Sequence, residues 1–247
     1  MATLPGSPEI FAALTQSLAG VPGIDLCMLY GSFARGTATA ESDLDVLVVA
    51  EDSTTGSRMA HRLLHNRPDI ARLASISTVR TCDLLLEQRT RPSFVAHLRD
   101  EGEPVGSSAG GNHRVVLPIL QSETMPFELA REVEDRVDRV ARSLRHTRLN
   151  GRYASALGRL YSVSKAVCIA RLVHVGTPQY DWRLVFDEFG QAWPGTREQA
   201  DLLARLRPYY EQLRGTSDCV IIAPRDEAQL LDDAAHCLKD VVVASRQ

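Results

Sequence analysis

Two aspartates stand two residues apart in Asp43-Leu44-Asp45. In an extended chain that spacing sends both side chains to one face. Neighbouring carboxylates repel unless a cation lies between them. Hard oxygen donors of this kind suit Mg²⁺, which uses one or two carboxylates together with substrate phosphate oxygens. Upstream, Tyr30 is followed by Gly31 and Ser32, and ten residues, Phe33 to Ser42, separate that pair from the aspartates. Gly31 lets backbone approach a phosphate. Ser32 offers a hydroxyl and an amide, and Phe33-Ala34-Arg35 can open a helical turn whose N-terminus favours an anion. Arg35 reads equally as a phosphate contact and as a structural ion pair. Downstream, Asp83 in TCDLLLEQ is a candidate third carboxylate, placed to hold a second metal or to take the proton of an incoming hydroxyl. Glu87, four residues on, falls on the same face of a strand and is a second candidate base.

The elements that must position these groups follow from patterning. Residues 8–19 predict a helix, 24–30 a buried strand, 43–50 a second strand, 56–66 a helix, 76–87 a third strand and 91–102 a helix. Such alternation implies a small mixed sheet covered by helices. The stretch GSSAGGNH, residues 106–113, marks a boundary between a domain over 1–111 and another over 112–247. The second half shows apolar residues at helical spacing over 123–149, 152–175, 196–214 and 225–244, with one short strand over 218–223, and reads as a helical bundle. The expected fold class is α+β, a mixed sheet flanked by helices and followed by an α-helical domain.

With these elements in place, GSFARGTATAESDLDVLVV resembles the signature of the nucleotidyltransferase superfamily related to DNA polymerase beta. The similarity is greatest to its minimal bacterial branch and to the antibiotic nucleotidyltransferases. It rests on Gly31, Ser32, Ala34, Arg35, Gly36, Ser42, Asp43 and Asp45, and FVAHLRDEGEPVG resembles the helix and turn that close such domains, so that residues 20–106 are covered. The resemblance implies an enzyme that moves a nucleoside monophosphate from ATP or another NTP to a hydroxyl. It implies nucleotide contacts at Gly31, Ser32, Arg35 and Ser42, and two Mg²⁺ ions held by Asp43 and Asp45 with Asp83 completing one site. Asp83 or Glu87 would be the base. Segment 152–190 resembles the helix, turn and second helix of the antibiotic-modifying members, which by position gives Lys165 and Arg183 to the triphosphate. Tyr161, Tyr180, Trp182 and Trp193 could stack on a base or line an acceptor pocket, although aromatics at helical spacing more often build a core.

Acceptors implied by the superfamily are a small antibiotic such as an aminoglycoside or lincosamide, or, as in its toxin branch, tRNA or a partner protein. A non-catalytic, antitoxin-like nucleotide-binding module is the alternative from another class. Arg139 and His146 match the spacing of ribonucleases built on similar helical domains, but arginines recur every three or four residues in that helix. Its acidic run from Glu123 to Asp138 reads as a solvated face or as a wall for a cationic antibiotic.

Composition sets outer limits. The chain has 247 residues, 44% hydrophobic and 24% charged, with a net charge of −3. That is an ordinary folded protein with no bulk charge for gripping nucleic acid. Lysine occurs only at 165 and 239. No apolar run reaches the roughly 18–20 residues of a membrane span, and MATLPGSPEIF lacks the pattern of a secretory signal. The five cysteines are scattered and form no CxxC pair, which fits free thiols. A cytoplasmic protein is expected.

Overall fold

The computed structural model describes residues 6–40, 42–150, 152–214 and 224–244. The chain divides into two compact units at Thr124 and Met125. The first contains α1 (Ser7–Leu18), β1 (Ile24–Tyr30), β2 (Leu44–Ala50), α2 (Thr55–Asn66), α3 (Pro68–Ala71), β3 (Ala74–Arg80), α4 (Leu84–Thr90), α5 (Pro92–Glu101), β4 (Glu103–Gly106) and α6 (His113–Leu120). The strands form one mixed sheet of order β3-β2-β1-β4. β1 is antiparallel to both β2 and β4, and β3 is parallel to β2.

β1 and β2 are near-continuous apolar runs because both faces of the sheet are covered. One face buries Cys27, Leu29, Val46 and Val48 against Ile10 and Leu14 of α1 and Met59 and Leu63 of α2. The other buries Leu26, Met28, Leu47 and Val49 against Leu84 of α4, Val95 and Leu98 of α5, and Val116 and Leu120 of α6. This second core places α6 in the first unit. GSSAGGNH is a loop inside the first unit, and α6 beyond it completes the layer over β1.

A register shift between Ile24 and Leu26 turns Asp25 out of the regular alternation. The Asp25 carboxylate, 7% exposed, accepts hydrogen bonds from the Thr81 hydroxyl and from the Asn112 amide at 2.9 Å, tying the end of β3 and the start of α6 to β1. Asp25→Ala takes the acceptor away from two part-buried hydrogen bonds. It is expected to cost about 2–3 kcal/mol in urea unfolding.

The second unit consists of α7 (Pro126–Asn150), α8 (Tyr153–His174), α9 (Val185–Ala192), α10 (Arg197–Ala204), α11 (Arg207–Leu213) and α12 (Pro224–Ala244). Its core gathers Leu129 and Val133 of α7, Leu157 and Leu160 of α8, Phe189 of α9, Leu203 of α10 and Leu231 and Leu238 of α12. The helix expected over 196–214 is two helices with a break before Pro208, and α9 stands where the resemblance over 152–190 implied a second helix. The strand expected over 218–223 lies outside the described residues, as does Cys219. Among the described residues Cys27, Cys82, Cys168 and Cys237 are free thiols, and no helix is long and apolar enough to cross a membrane.

Candidate nucleotide site

The last residue of β1 and the second residue of β2 face each other, because the ladder pairs Tyr30 with Asp45. Asp45 is the one incompletely buried residue in an otherwise buried strand. Directly after Tyr30 the chain turns sharply. Gly31 has φ +76°, and Arg35 N–H donates to Gly31 O at 3.0 Å and Thr37 N–H to Ser32 O at 2.9 Å. Phe33 is buried in the core shared with α1 and α2 and anchors this turn. Among the described residues the amides of Ser32, Phe33 and Ala34 donate to no backbone carbonyl. A Cβ built on Gly31 would lie 2.6 Å from Asp45 Oδ2. The Gly-Ser turn and the Asp45 carboxylate are thus brought side by side.

Ser42 has a local task. Its Oγ accepts from Thr39 N–H at 2.9 Å and its own amide donates to Thr39 O at 3.0 Å, closing the loop that leads Asp43 into β2. Arg35 donates to Glu101 of α5, whose carboxylate also holds His97 Nε2 at 2.8 Å. The His97 ring meets Tyr30 edge-on, 5.4 Å between centroids. Of the two readings of Arg35, this places it in a structural ion pair that ties the turn to α5. Burial pushes the Tyr30 phenol above its ordinary range and the Asp45 charge adds to the effect, while the hydrogen bond with Ser77 and the Arg91 guanidinium act the other way.

The third carboxylate is not where the sequence suggested. β3 ends at Arg80, and residues 81–83 form a 3-10 turn leading into α4. The parallel register pairs Asp45 with Ser75 and Ala50 with Arg80, so Asp83 lies past the far end of the sheet. Five strand residues alone separate the ends by roughly 16 Å. Asp83 pairs there with Arg80 at 2.6 Å, and that hydrogen bond holds its pKa below the usual carboxylate range. A depressed folded pKa contributes stability above the ordinary value, lost as pH falls through the folded one. Asp83→Asn is therefore expected to leave transfer unchanged and to flatten the acid side of the stability profile. A loss of transfer in steady-state assays would contradict this placement.

Glu87 is helical rather than extended, but it sits at a more useful place. It pairs with Arg91 at 3.1 Å, and Arg91 lies against the Phe94 ring at 4.4 Å and within electrostatic reach of Tyr30, the residue opposite Asp45. The sequence reading passed over Ser75, Ser77, Arg91, His97 and Glu101. Alternation in ASISTVR already puts the two serines on one face, but which strand they border is a matter of register.

Residues 13–108 match the family model described as polymerase beta, nucleotidyltransferase. The first unit is a DNA polymerase beta-like nucleotidyltransferase domain. The whole chain is also similar in fold to spectinomycin adenyltransferase AAD(9) from Enterococcus faecialis, solved with ATP and spectinomycin. That match has a TM-score of 0.52 at 13% identity and covers 93% of this chain and 96% of that one. No curated protein matches the sequence. The observed architecture agrees with the expected α+β class: a nucleotidyltransferase sheet followed by helices.

In the helical unit that follows the nucleotidyltransferase domain, Lys165 Nζ lies 5.4 Å from the centre of the Tyr210 ring. Arg183 is held by Asp181 at 2.6 Å, and Arg207 stacks on Trp182 at 3.8 Å. Tyr161 and Tyr180 are buried, and Trp193 packs on Phe189 at 4.6 Å, so these three aromatics build the core. Arg139 Nε donates to the Asp135 carbonyl on its own exposed helix face, where His146 is also exposed.

Proposed function

We propose that the protein transfers a nucleoside monophosphate, AMP from ATP, to a hydroxyl of a small molecule of the antibiotic class. The observation that carries this reading is the close approach of the Gly31 turn to Asp45, with Asp43 just before the same strand. A backbone cradle that any side chain at 31 would fill, beside two acidic residues, fits an anionic phosphate bridged to the protein by Mg²⁺. When bound, the ion neutralises phosphate charge and polarises the α-phosphoryl group. The similarity in fold to an adenyltransferase crystallised with ATP and spectinomycin supports ATP and a compact acceptor.

In this reading Asp43 and Asp45 hold the ion, and the amides of Ser32 and its neighbours orient the phosphate oxygens. Glu87 takes the proton of the acceptor hydroxyl as its oxygen bonds to the α-phosphorus. The α,β-bridging bond breaks and pyrophosphate leaves. Positioning and charge complementarity provide most of the acceleration.

The test is incubation with each NTP and Mg²⁺ in the presence of antibiotic panels, total tRNA and lysate protein, followed by mass spectrometry and pyrophosphate assay. A small molecule gaining the mass of AMP is the expected result. Modification of tRNA or protein alone would replace the acceptor class, and tight ATP binding with no product anywhere would leave a nucleotide-binding module instead.

A further inference from the structure

We infer that Glu101 is a positioning residue of the Gly-Ser turn: from α5, one of its carboxylate oxygens holds Arg35 on one flank of Gly31 and, through His97, braces Tyr30 on the other. The inference rests on the proposed reading of that turn as the phosphate cradle of a nucleotide, and it gives Arg35 an indirect part in binding in place of a direct one.

The spacing on α5 makes this possible. Phe94, His97 and Glu101 stand three and four residues apart and so share one face of the helix. Val95 and Leu98 beside them enter the core over β1. Along the shared face the Phe94 and His97 rings meet Tyr30 edge-on, at 5.7 and 5.4 Å between centroids. Arg35 reaches Glu101 Oε2, the same oxygen that holds His97 Nε2 at 2.8 Å. Tyr30 is the residue before Gly31, and Arg35 N–H closes the turn onto Gly31 O at 3.0 Å. One helix thus grips the chain on both sides of Gly31, where it reverses with φ +76°. The grip is itself anchored, because α5 runs directly into β4, whose Glu103 pairs with Leu29 of β1.

Burial decides what Glu101 does for Arg35. The two side chains are 19% and 14% exposed, and Arg35 Nε is buried with no hydrogen-bond partner. A guanidinium so placed depends on the carboxylate that pairs with it, since a charge left unpaired away from water is strongly unfavourable. Without Glu101 the Arg35 side chain swings out to solvent and the turn is released from α5. A loosened turn must be ordered again when phosphates bind, and that ordering is subtracted from affinity. Direct contact between Arg35 and phosphate would give the opposite sign. Neutralising Glu101 would then free the guanidinium for the triphosphate, and affinity would rise.

The probe is the α,β-methylene analogue of ATP with Mg²⁺, titrated calorimetrically into the full chain and its variants, each first shown to be folded by thermal melting. Glu101→Gln keeps the shape, removes the charge and is expected to weaken binding about tenfold. Arg35→Gln removes the other half of the contact and should lose about as much, with the double variant losing no more than either. Should Glu101→Gln not fold, Glu101→Asp, which keeps the charge but shortens the reach, is expected to weaken binding in the same direction. Asp25→Ala, at the other end of β1, controls for stability alone and should bind the analogue as the unsubstituted chain does. Unchanged or tighter binding in the Glu101 variants would overturn the inference, as would additive losses in the double variant or an equal loss in Asp25→Ala. Failure of the functional reading itself looks different: the unsubstituted chain would bind no analogue, and both conclusions would fall.

Discussion

Asp45→Asn is expected to reduce nucleotidyl transfer by at least ~10³-fold, with nucleotide binding losing its dependence on divalent cation. The argument is electrostatic. Asp45 faces Tyr30 across the ladder and its Oδ2 lies 2.6 Å from where a Cβ at position 31 would stand, so its carboxylate is brought beside the Gly-Ser turn. Asparagine keeps the shape and one oxygen but removes the charge that a dication and a triphosphate must share. The fold should survive, because an acid held at the end of a buried strand is unfavourable without its cation, and melting temperature should stay level or rise. The Tyr30 phenol should move down toward its ordinary range, since the Asp45 charge is one of the two causes raising it. Pyrophosphate release, calorimetry with and without Mg²⁺, and a spectroscopic tyrosine titration provide independent readouts. Undiminished transfer after Asp45→Asn would refute the metal assignment.

Gly31→Ala is expected to cost about 10²-fold in transfer through misplacement of the reacting groups, while lowering stability by only about 1–2 kcal/mol. Two effects meet at this position. The backbone has φ +76°, a region that strains any residue with a Cβ, and the added methyl would lie 2.6 Å from Asp45 Oδ2. The struck atom is the end of a side chain that can swing, so the fold yields cheaply and the carboxylate moves away from where it is needed. Gly36→Ala is the control. Gly36 has φ +70° but nothing within 4 Å of an added Cβ. Its substitution should carry a similar backbone cost in thermal melts with far less loss of transfer. Equal losses at 31 and 36 would show that backbone strain, and not displacement of Asp45, is responsible.

Much of the site was legible because its parts are local. β1 was read over its full length, since seven consecutive residues between Gly23 and Gly31 are buried and its ends are marked by glycines with positive φ. Asp43 and Asp45 open the next apolar run, and only a short loop closed by Ser42 separates them from the turn. Residues 81–87, expected as strand, are helical for a physical reason. An apolar run such as LLL fits a buried strand or a helix equally well by pattern. In the structure Leu84 is buried while Leu85 and Leu86 are each 58% exposed, the signature of a helix lying on a core. That one misassignment carried Asp83 onto a strand and toward Asp45.

The sequence by itself determined the turn, the paired aspartates, the helical character of the second half and hence the family. These depend on residues within about a dozen positions of each other, whose geometry is set by backbone sterics and hydrophobic period. Only the tertiary structure decided that α6 belongs to the first unit, that Arg35 meets Glu101 across 66 residues of chain, and that Ser75 rather than Asp83 stands beside Asp45. Parallel register is fixed by the packing of both sheet faces and by the crossover through α2 and α3, and no local pattern encodes which residue on one strand will border a given residue on another.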